Sequence, residues 1–294
     1  LRIIDPTCCG GSFLRGAFQL LSQKQQVLAA LPVPDTLRQK YPWLEDSEEG
    51  QYAWEKHVLH YMIYGVDIDY KAVTIASLTL TLTALEHHPK GKKLPALIGY
   101  NLIHQNSLMN LVPFNERNPA FKPYQKEIKE LRALYIARQP GFEAQRVHIQ
   151  EKLSALAEPV LGDQIPLLNV QSIELNMPTV FFNKDGEFLP GGGFECVVGN
   201  PPWEKWKPNS DEFFSRYDPT YLALGKAKPK KTRQTELFTK FPGLQERWQA
   251  NQLMYETGSA YFLTTNEYHW QSWVVDGKKT SSDTNLYKIS TERF

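Results

Sequence analysis

The chain has 294 residues, enough to bury a large core in one elaborated domain or in two. Its 41% hydrophobic and 22% charged residues are ordinary for a soluble globular protein, and no apolar run approaches the roughly 20 residues of a membrane span or forms a signal peptide, so a cytosolic location is expected. A net charge of +1, 33 Lys+Arg against 32 Asp+Glu, confines any basic surface to a local patch, and three cysteines (Cys8, Cys9, Cys196) without zinc-site spacing exclude a disulfide framework and predict no metal site.

In chain order, residues 1–5 read as a short buried strand and 7–12 as a glycine-bearing turn, after which 13–31 carry apolar residues at helical spacing. Pro32, Pro34 and Pro42 interrupt that helix, and 41–51 form a polar, acidic insert. Residues 54–61 read as helix and 63–68 as a second strand. The clearest helix spans 70–86, with Ala72, Ile75, Ala76, Leu78, Thr79, Leu82 and Leu85 expected on its apolar face. Residues 97–104 are a candidate third strand, ending at Asn106-Ser107-Leu108.

From about 120 to 160 the pattern becomes two charged amphipathic helices broken at Gln139-Pro140-Gly141, a helical hairpin expected to be a solvated insertion. Sheet rhythm returns at 173–182, followed by a turn at Asn183-Lys184-Asp185-Gly186. Residues 194–198 read as a buried strand that delivers the chain into Gly199-Asn200-Pro201-Pro202-Trp203. Further on, Lys226, Lys228, Lys230, Lys231 and Arg233 crowd into a stretch with glycine and proline that is expected to be an exposed, mobile loop. Residues 285–294 read as the opening of a helix. Both ends read as cut, so the chain is expected to be part of a larger protein. Strands alternating with helices predict an α/β fold with a mostly parallel sheet.

Chemistry concentrates where the strands end. Open α/β sheets bind ligands at their carboxyl edge. Pro201 and Pro202 fix their own φ and restrict the residue before them, so Asn200 is held rather than mobile. The Asn200 amide oxygen and the Pro201 carbonyl are two acceptors suited to the N–H bonds of an exocyclic aromatic amine, which they would draw towards a more nucleophilic, tetrahedral nitrogen. Trp203 offers a flat surface for a base flipped out of a duplex. After the first strand, Asp5-Pro6-Thr7-Cys8-Cys9-Gly10-Gly11-Ser12-Phe13 lets backbone amides approach a ligand near a helix N-terminus, and Asp5 is suited to an ammonium group. The G-x-G-x-x-G spacing of dinucleotide folds is absent. In Gly65-Val66-Asp67-Ile68-Asp69, Asp67 can accept two ribose hydroxyls with Ile68 against an adenine ring, while Asp69 is the expected cap of the next helix. Asn106 can bond an adenine edge and Leu108 can pack on its other face. Taken singly, each motif also admits a plain reading as a tight turn, a cap, a stiffened strand exit or a solvated loop.

The order of these strand ends carries a resemblance. Asp5–Leu14 resembles the D-P-x-C-G-S-G-x-F-L motif of N6-adenine DNA methyltransferases, Gly65–Asp69 their ribose-acid motif, and Asn200–Trp203 their catalytic N-P-P-[YFW]. The approach through Pro178-Thr179-Val180-Phe181-Phe182 and Gly192-Gly193-Phe194-Glu195-Cys196-Val197-Val198-Gly199 is similar to the large methylases of type IIG restriction enzymes and of the BREX and DISARM phage-defence systems. Asn285-Leu286-Tyr287-Lys288 resembles the start of their next helix. Cys9 stands where the family usually has glycine, Gly10 where it has serine, and Asn106 where an acid is common.

The resemblance implies a Rossmann-like S-adenosylmethionine-dependent methyltransferase core with a helical-hairpin insertion. Its parts would be a cofactor-binding half at 1–109, the insertion at 110–170, and a catalytic half with the basic loop at 171–294. It implies methylation of adenine N6 in double-stranded DNA. Asn200, Pro201, Pro202 and Trp203 would be catalytic, and Asp5, Thr7, Cys8, Gly10, Gly11, Phe13, Asp67, Ile68, Asn106 and Leu108 would bind the cofactor. The five basic residues would contact DNA, and nuclease, helicase or other defence-system subunits would be partners. Two alternatives stay open at this level: a protein glutamine N5-methyltransferase, and a cofactor- or DNA-binding subunit without turnover.

Overall fold

In the computed structural model, which describes residues 1–265, 267–272, 274–275, 278–279 and 284–294, four parallel strands make one sheet. They are β1 (Ile3–Asp5), β2 (Ile63–Asp67), β3 (Leu102–His104) and β4 (Cys196–Val197), in the order β3-β2-β1-β4. Asp5 lies opposite Gly65, Asp67 opposite His104, and Ile4 opposite Val197. Because every pairing is parallel, all four strands release their next residues at one edge. The sheet belongs to the first of two compact units, formed by Leu1–Pro159, Asn169–Pro202 and Phe294. The second comprises Val160–Leu168 and Trp203–Arg293.

In the first unit, α1 (Ser12–Ser22) follows β1, α2 (Glu48–Tyr61) precedes β2, and α3 (Tyr70–Ala84) links β2 to β3. Ser47 caps α2, its hydroxyl accepting from Gly50 N at 3.0 Å, and Asp69 caps α3 as expected, accepting from Lys71 N at 2.9 Å. Leu14 and Phe18 of α1, Val58 of α2, and Val73, Ala76 and Leu80 of α3 close one core with Ile63 and Leu102 of the sheet. Each large side chain in that core contributes about 1.5–3 kcal/mol by leaving water.

The buried face of α3 differs from the one expected. Val73, Ala76, Leu80 and Ala84 are buried, whereas Ile75, Leu78, Leu82 and Leu85 are 44–57% exposed. The helix is apolar nearly all round, so periodicity alone does not select a face. Close approach selects it: a Cβ at Gly11, whose φ is +80°, would lie 3.0 Å from both Cα and Cβ of Ala76. The turn after β1 therefore needs the small residue of α3 beneath it.

Three strand expectations are corrected. The third strand is Leu102–His104 only, because the chain turns at Gly99 (φ +79°) just before it. Residues 173–182 form two helical turns, Ile173–Asn176 and Pro178–Phe181, rather than a strand. Ser172 caps the first, and Pro178 starts the second where its missing N–H costs nothing. The expected buried strand at 194–198 is the two-residue β4, and Val197 is 44% exposed because β4 is the sheet's edge.

The helical pair is present as expected, α4 (Gln125–Ile136) and α5 (Gly141–Leu153), broken around Pro140. It is less solvated than its charges imply. Ile128, Leu131 and Tyr135 pack with Phe142, Ile149 and Leu153, and the Tyr135 and Phe142 rings are 5.3 Å apart.

In the second unit, α6 (Ala227–Lys240) and α7 (Leu244–Thr264) close a core of Phe214, Tyr221, Leu237 and Leu244, and α8 is Leu286–Arg293. The basic stretch is thus no mobile loop: Lys228, Lys230, Lys231 and Arg233 lie within α6, with Lys226 at its N-cap. Pro229 does not break the helix, because a proline in the first turn removes an N–H that has no helical partner anyway. Among the described residues no helix is long and apolar enough to cross a membrane.

Candidate active site

The carboxyl ends of β1 and β4 meet at an acid. Asp5 is 1% exposed, and its Oδ1 accepts from Thr7 N at 3.1 Å. Beside it runs the chain leaving β4: a Cβ at Gly199 would stand 2.8 Å from Asp5 Oδ1. Only glycine lets the strand exit pass so close to the carboxyl group. Burial, assisted by the negative charge of Asp67, pushes the Asp5 carboxyl up to about 6, against the lowering influence of the Thr7 N–H. Thr7 Oγ1, in the same turn, is buried, and its hydroxyl also lowers the Asp5 carboxyl.

The turn itself is held to β2. Cys8 N donates to the Val66 carbonyl at 2.9 Å, Gly11 N to the Cys8 carbonyl at 2.7 Å, and Cys9 N to Asp67 Oδ2 at 2.9 Å. Asp67 Oδ1 accepts from Asp69 N at 2.9 Å, so backbone amides orient both carboxylate oxygens at the tip of β2. Cys9 adopts φ +45°, a left-handed conformation that costs a non-glycine residue about 1–2 kcal/mol. A glycine at this position would carry no such cost. The thiols of Cys8, which is buried, and of Cys9 are both pushed up, by desolvation and by the negative charges of Asp67 and Asp5, so neither is an activated nucleophile.

Phe13, expected to bind the cofactor, and Ile68, expected against its adenine ring, are 52% and 56% exposed beside this edge. Asn106 and Leu108 are both 7% exposed. Asn106 Oδ1 accepts from Leu108 N at 3.0 Å, and the Asn106 backbone N–H donates to the Asn169 carbonyl at 2.9 Å. One acceptor of the Asn106 carboxamide is thereby spent on shaping the loop after β3. Asn200 and Pro202 are exposed at the exit of β4, with Pro201 partly buried.

Trp203 opens the second unit and is 72% exposed. Its indole stacks on Tyr287, with centroids 5.4 Å apart and planes at 26°. The backbone explains the pairing: Leu286 N donates to the Glu204 carbonyl at 2.9 Å and Trp206 N to the Thr284 carbonyl at 2.8 Å, so the start of α8 runs beside the segment that follows Trp203. Tyr287 and Gly199 were not singled out from sequence. Glycine before Asn-Pro-Pro was visible, but its reason, the Asp5 carboxyl, was not.

The basic residues are unequal. Lys230 Nζ lies 2.7 Å from both carboxylate oxygens of Asp211, and Arg233 pairs with Asp218 at 3.0 Å and Glu236 at 2.9 Å. Lys226, Lys228 and Lys231 are exposed.

A four-stranded parallel α/β sheet with paired acids, a tight turn and Asn-Pro-Pro at one carboxyl edge is compatible with a Rossmann-like methyltransferase. The family model described as Eco57I restriction-modification methylase matches residues 61–274, and the chain belongs to that family. The family indicates a restriction-modification methyltransferase. The match includes Asp67, Asn106 and Asn200–Trp203, while the turn after β1 lies before it. No curated protein and no solved structure matches the chain.

Proposed function

We propose that this chain methylates the N6 amino group of adenine in double-stranded DNA, using S-adenosylmethionine, in a restriction-modification or phage-defence system. The observation that carries the reading is the close approach of Asp5, at the end of β1, to the Gly199-Asn200-Pro201-Pro202 exit of β4. It brings a cofactor acid and an amine-binding strand end together at the point where the sheet order reverses.

The residues present fit that cofactor. Asp5 is a buried carboxyl whose ionisation an ammonium group would favour, and the buried Thr7 hydroxyl beside it favours the same charged form. Asp67, with its oxygens oriented by Cys9 N and Asp69 N, would accept the ribose hydroxyls. Ile68 and Phe13 supply exposed apolar surface for the adenine. When bound, S-adenosylmethionine supplies an activated methyl group.

The rest falls to this chain. Asn200 Oδ1 and the Pro201 carbonyl would accept the two amine hydrogens, drawing the nitrogen out of conjugation with the ring. A neutral acceptor pair suffices, because what remains is placement, and fixed geometry supplies a large share of such barriers. Trp203, backed by Tyr287 on one face, would stack the flipped base on the other. The exposed lysines of α6 would follow the DNA backbone.

Asn200→Ala tests the reading in the full-length enzyme. Losing one positioned acceptor costs on the order of 3 kcal/mol in the barrier. Transfer of labelled methyl groups to DNA should therefore fall at least a hundredfold, with cofactor affinity nearly unchanged. Wild-type turnover by the variant would end the assignment. Transfer by the wild type to protein in place of DNA would replace it with a glutamine methyltransferase, and no transfer with intact binding would leave a binding subunit.

A further inference from the structure

At the opposite, amino edge of the same sheet lies a polar cavity. Arg138, between α4 and α5, holds φ +52°, and its guanidinium reaches the sheet: Nη2 donates to Asn101 Oδ1 at 2.6 Å and to the His60 carbonyl at 3.3 Å. Asn101 directly precedes β3, and His60 lies at the end of α2 just before β2. The guanidinium sits over the rings of Tyr100 and Tyr135, at 4.4 and 5.0 Å from their centroids. None of these partners is a carboxylate, and Nη1 is buried without a hydrogen-bond partner. Arg138 is half-buried, and a buried guanidinium nitrogen left without a hydrogen bond is costly.

Arg138 lines a cavity of about 260 Å³ formed by α2, the end of α3 and residues 88–96. Lys56 and Lys93 line it too, and Glu55 is the acid among its lining residues. The Glu55 carboxylate is already engaged, accepting from Ser22 Oγ and Gln51 Nε2 and lying 2.7 Å from His87 Nδ1. Two more lining nitrogens, His60 Nε2 and His88 Nε2, are buried without partners. His88 Nδ1 is 3.1 Å from the Pro89 carbonyl and so carries the proton, which leaves Nε2 able to accept a ligand hydroxyl. Three cations against one committed acid match a dianion better than a monocarboxylate. The volume exceeds that of free phosphate, and Leu59, Ala84, Leu94 and Pro95 make part of the wall apolar.

We propose that this cavity binds a small organic phosphate, its phosphoryl oxygens held by Arg138, Lys56 and Lys93 and its body by the apolar wall. The site is separate from the carboxyl edge, so it is suited to an effector. Calorimetry with phenyl phosphate tests it, because that probe carries no adenine to compete for the methyl-donor site, and the titration is run with S-adenosylmethionine in excess. Phenyl phosphate should bind, with phenol and inorganic phosphate each at least tenfold weaker. The exposed pair Lys56→Gln/Lys93→Gln should lose at least tenfold in affinity with an unchanged melting temperature, and Arg138→Lys should also lose affinity. Absence of binding at millimolar phenyl phosphate, equal binding by the double variant, or displacement by S-adenosylmethionine would overturn the proposal. Inorganic phosphate binding as tightly as phenyl phosphate would overturn the organic ligand.

Discussion

Asp5 is where one residue's environment sets an observable. Its ordinary value is 3.8, and burial with Asp67 nearby pushes it up to about 6 in the folded protein. Between those values the folded chain keeps a proton that the unfolded chain has lost. The stability this group contributes therefore falls as pH rises from about 4 to 6 and is level above that. An ammonium ligand needs the carboxylate. S-adenosylmethionine affinity is accordingly expected to rise about tenfold per pH unit up to pH 6, with one proton released on binding, and to level off beyond. Calorimetry in two buffers of different ionisation enthalpy counts that proton, and Asp5→Asn should abolish the dependence. Flat affinity between pH 5 and 7 would remove Asp5 from the site. Cys9 belongs to the same scale: its left-handed backbone is kept because its N–H is needed by Asp67.

Among the elements, α6 carries the prediction about DNA. A helix presents Lys228 and Lys231 on one face at i and i+3, with Lys226 at the cap, while Lys230 and Arg233 are occupied by acids of their own unit. Replacing Lys226, Lys228 and Lys231 with alanine should leave the helix intact, since alanine favours it. Each lost phosphate contact lowers the salt slope by roughly 0.9, so duplex binding across a salt series should show a slope shallower by about two to three units, with the preferred sequence unchanged. An unchanged slope would make these lysines a solubility feature. Element α3 raises no such question of charge, but its apolar outer face at Ile75, Leu78 and Leu82 shows how weakly periodicity constrains a helix that is apolar all round.

Across the first unit, distant segments are tied together by buried polar groups as much as by the apolar core. Glu174, fully buried, lies 2.6 Å from Arg117 Nε and accepts from Asn110 Nδ2 at 3.0 Å and Ser172 Oγ at 2.8 Å. It joins the segment after β3 to the helical turns that lead to β4. Removing one partner of a buried ion pair strands the other charge, which costs about 3–5 kcal/mol. Arg117→Leu should lower the free energy of urea unfolding by that much, and Arg117→Leu/Glu174→Leu should recover a large part of it. A loss below about 1 kcal/mol would mean that Asn110 and Ser172 satisfy the carboxylate by themselves.

Local chemistry was legible in the residues. The strand at Ile3–Asp5, the capping Asp69, the hairpin at Pro140 and the Asn-Pro-Pro exit of β4 follow from side chains acting on their own few neighbours. So did the family, because its motifs are short runs at strand ends. Choices between equally apolar faces, or between helix and loop around a proline, were not legible. Which side of α3 faces inward depended on Gly11, at the start of α1, meeting Ala76 directly, and which basic residues of α6 stay unpaired by acids depended on Asp211 and Asp218, 19 and 15 residues before Lys230 and Arg233. The Asp5–Gly199 approach, the backing of Trp203 by Tyr287 and the guanidinium of Arg138 at the amino edge join residues far apart in the chain. Sequence determined what each strand end carries. Tertiary structure decided which of those groups meet, because contact across a sheet is set by packing, and packing has no local signature.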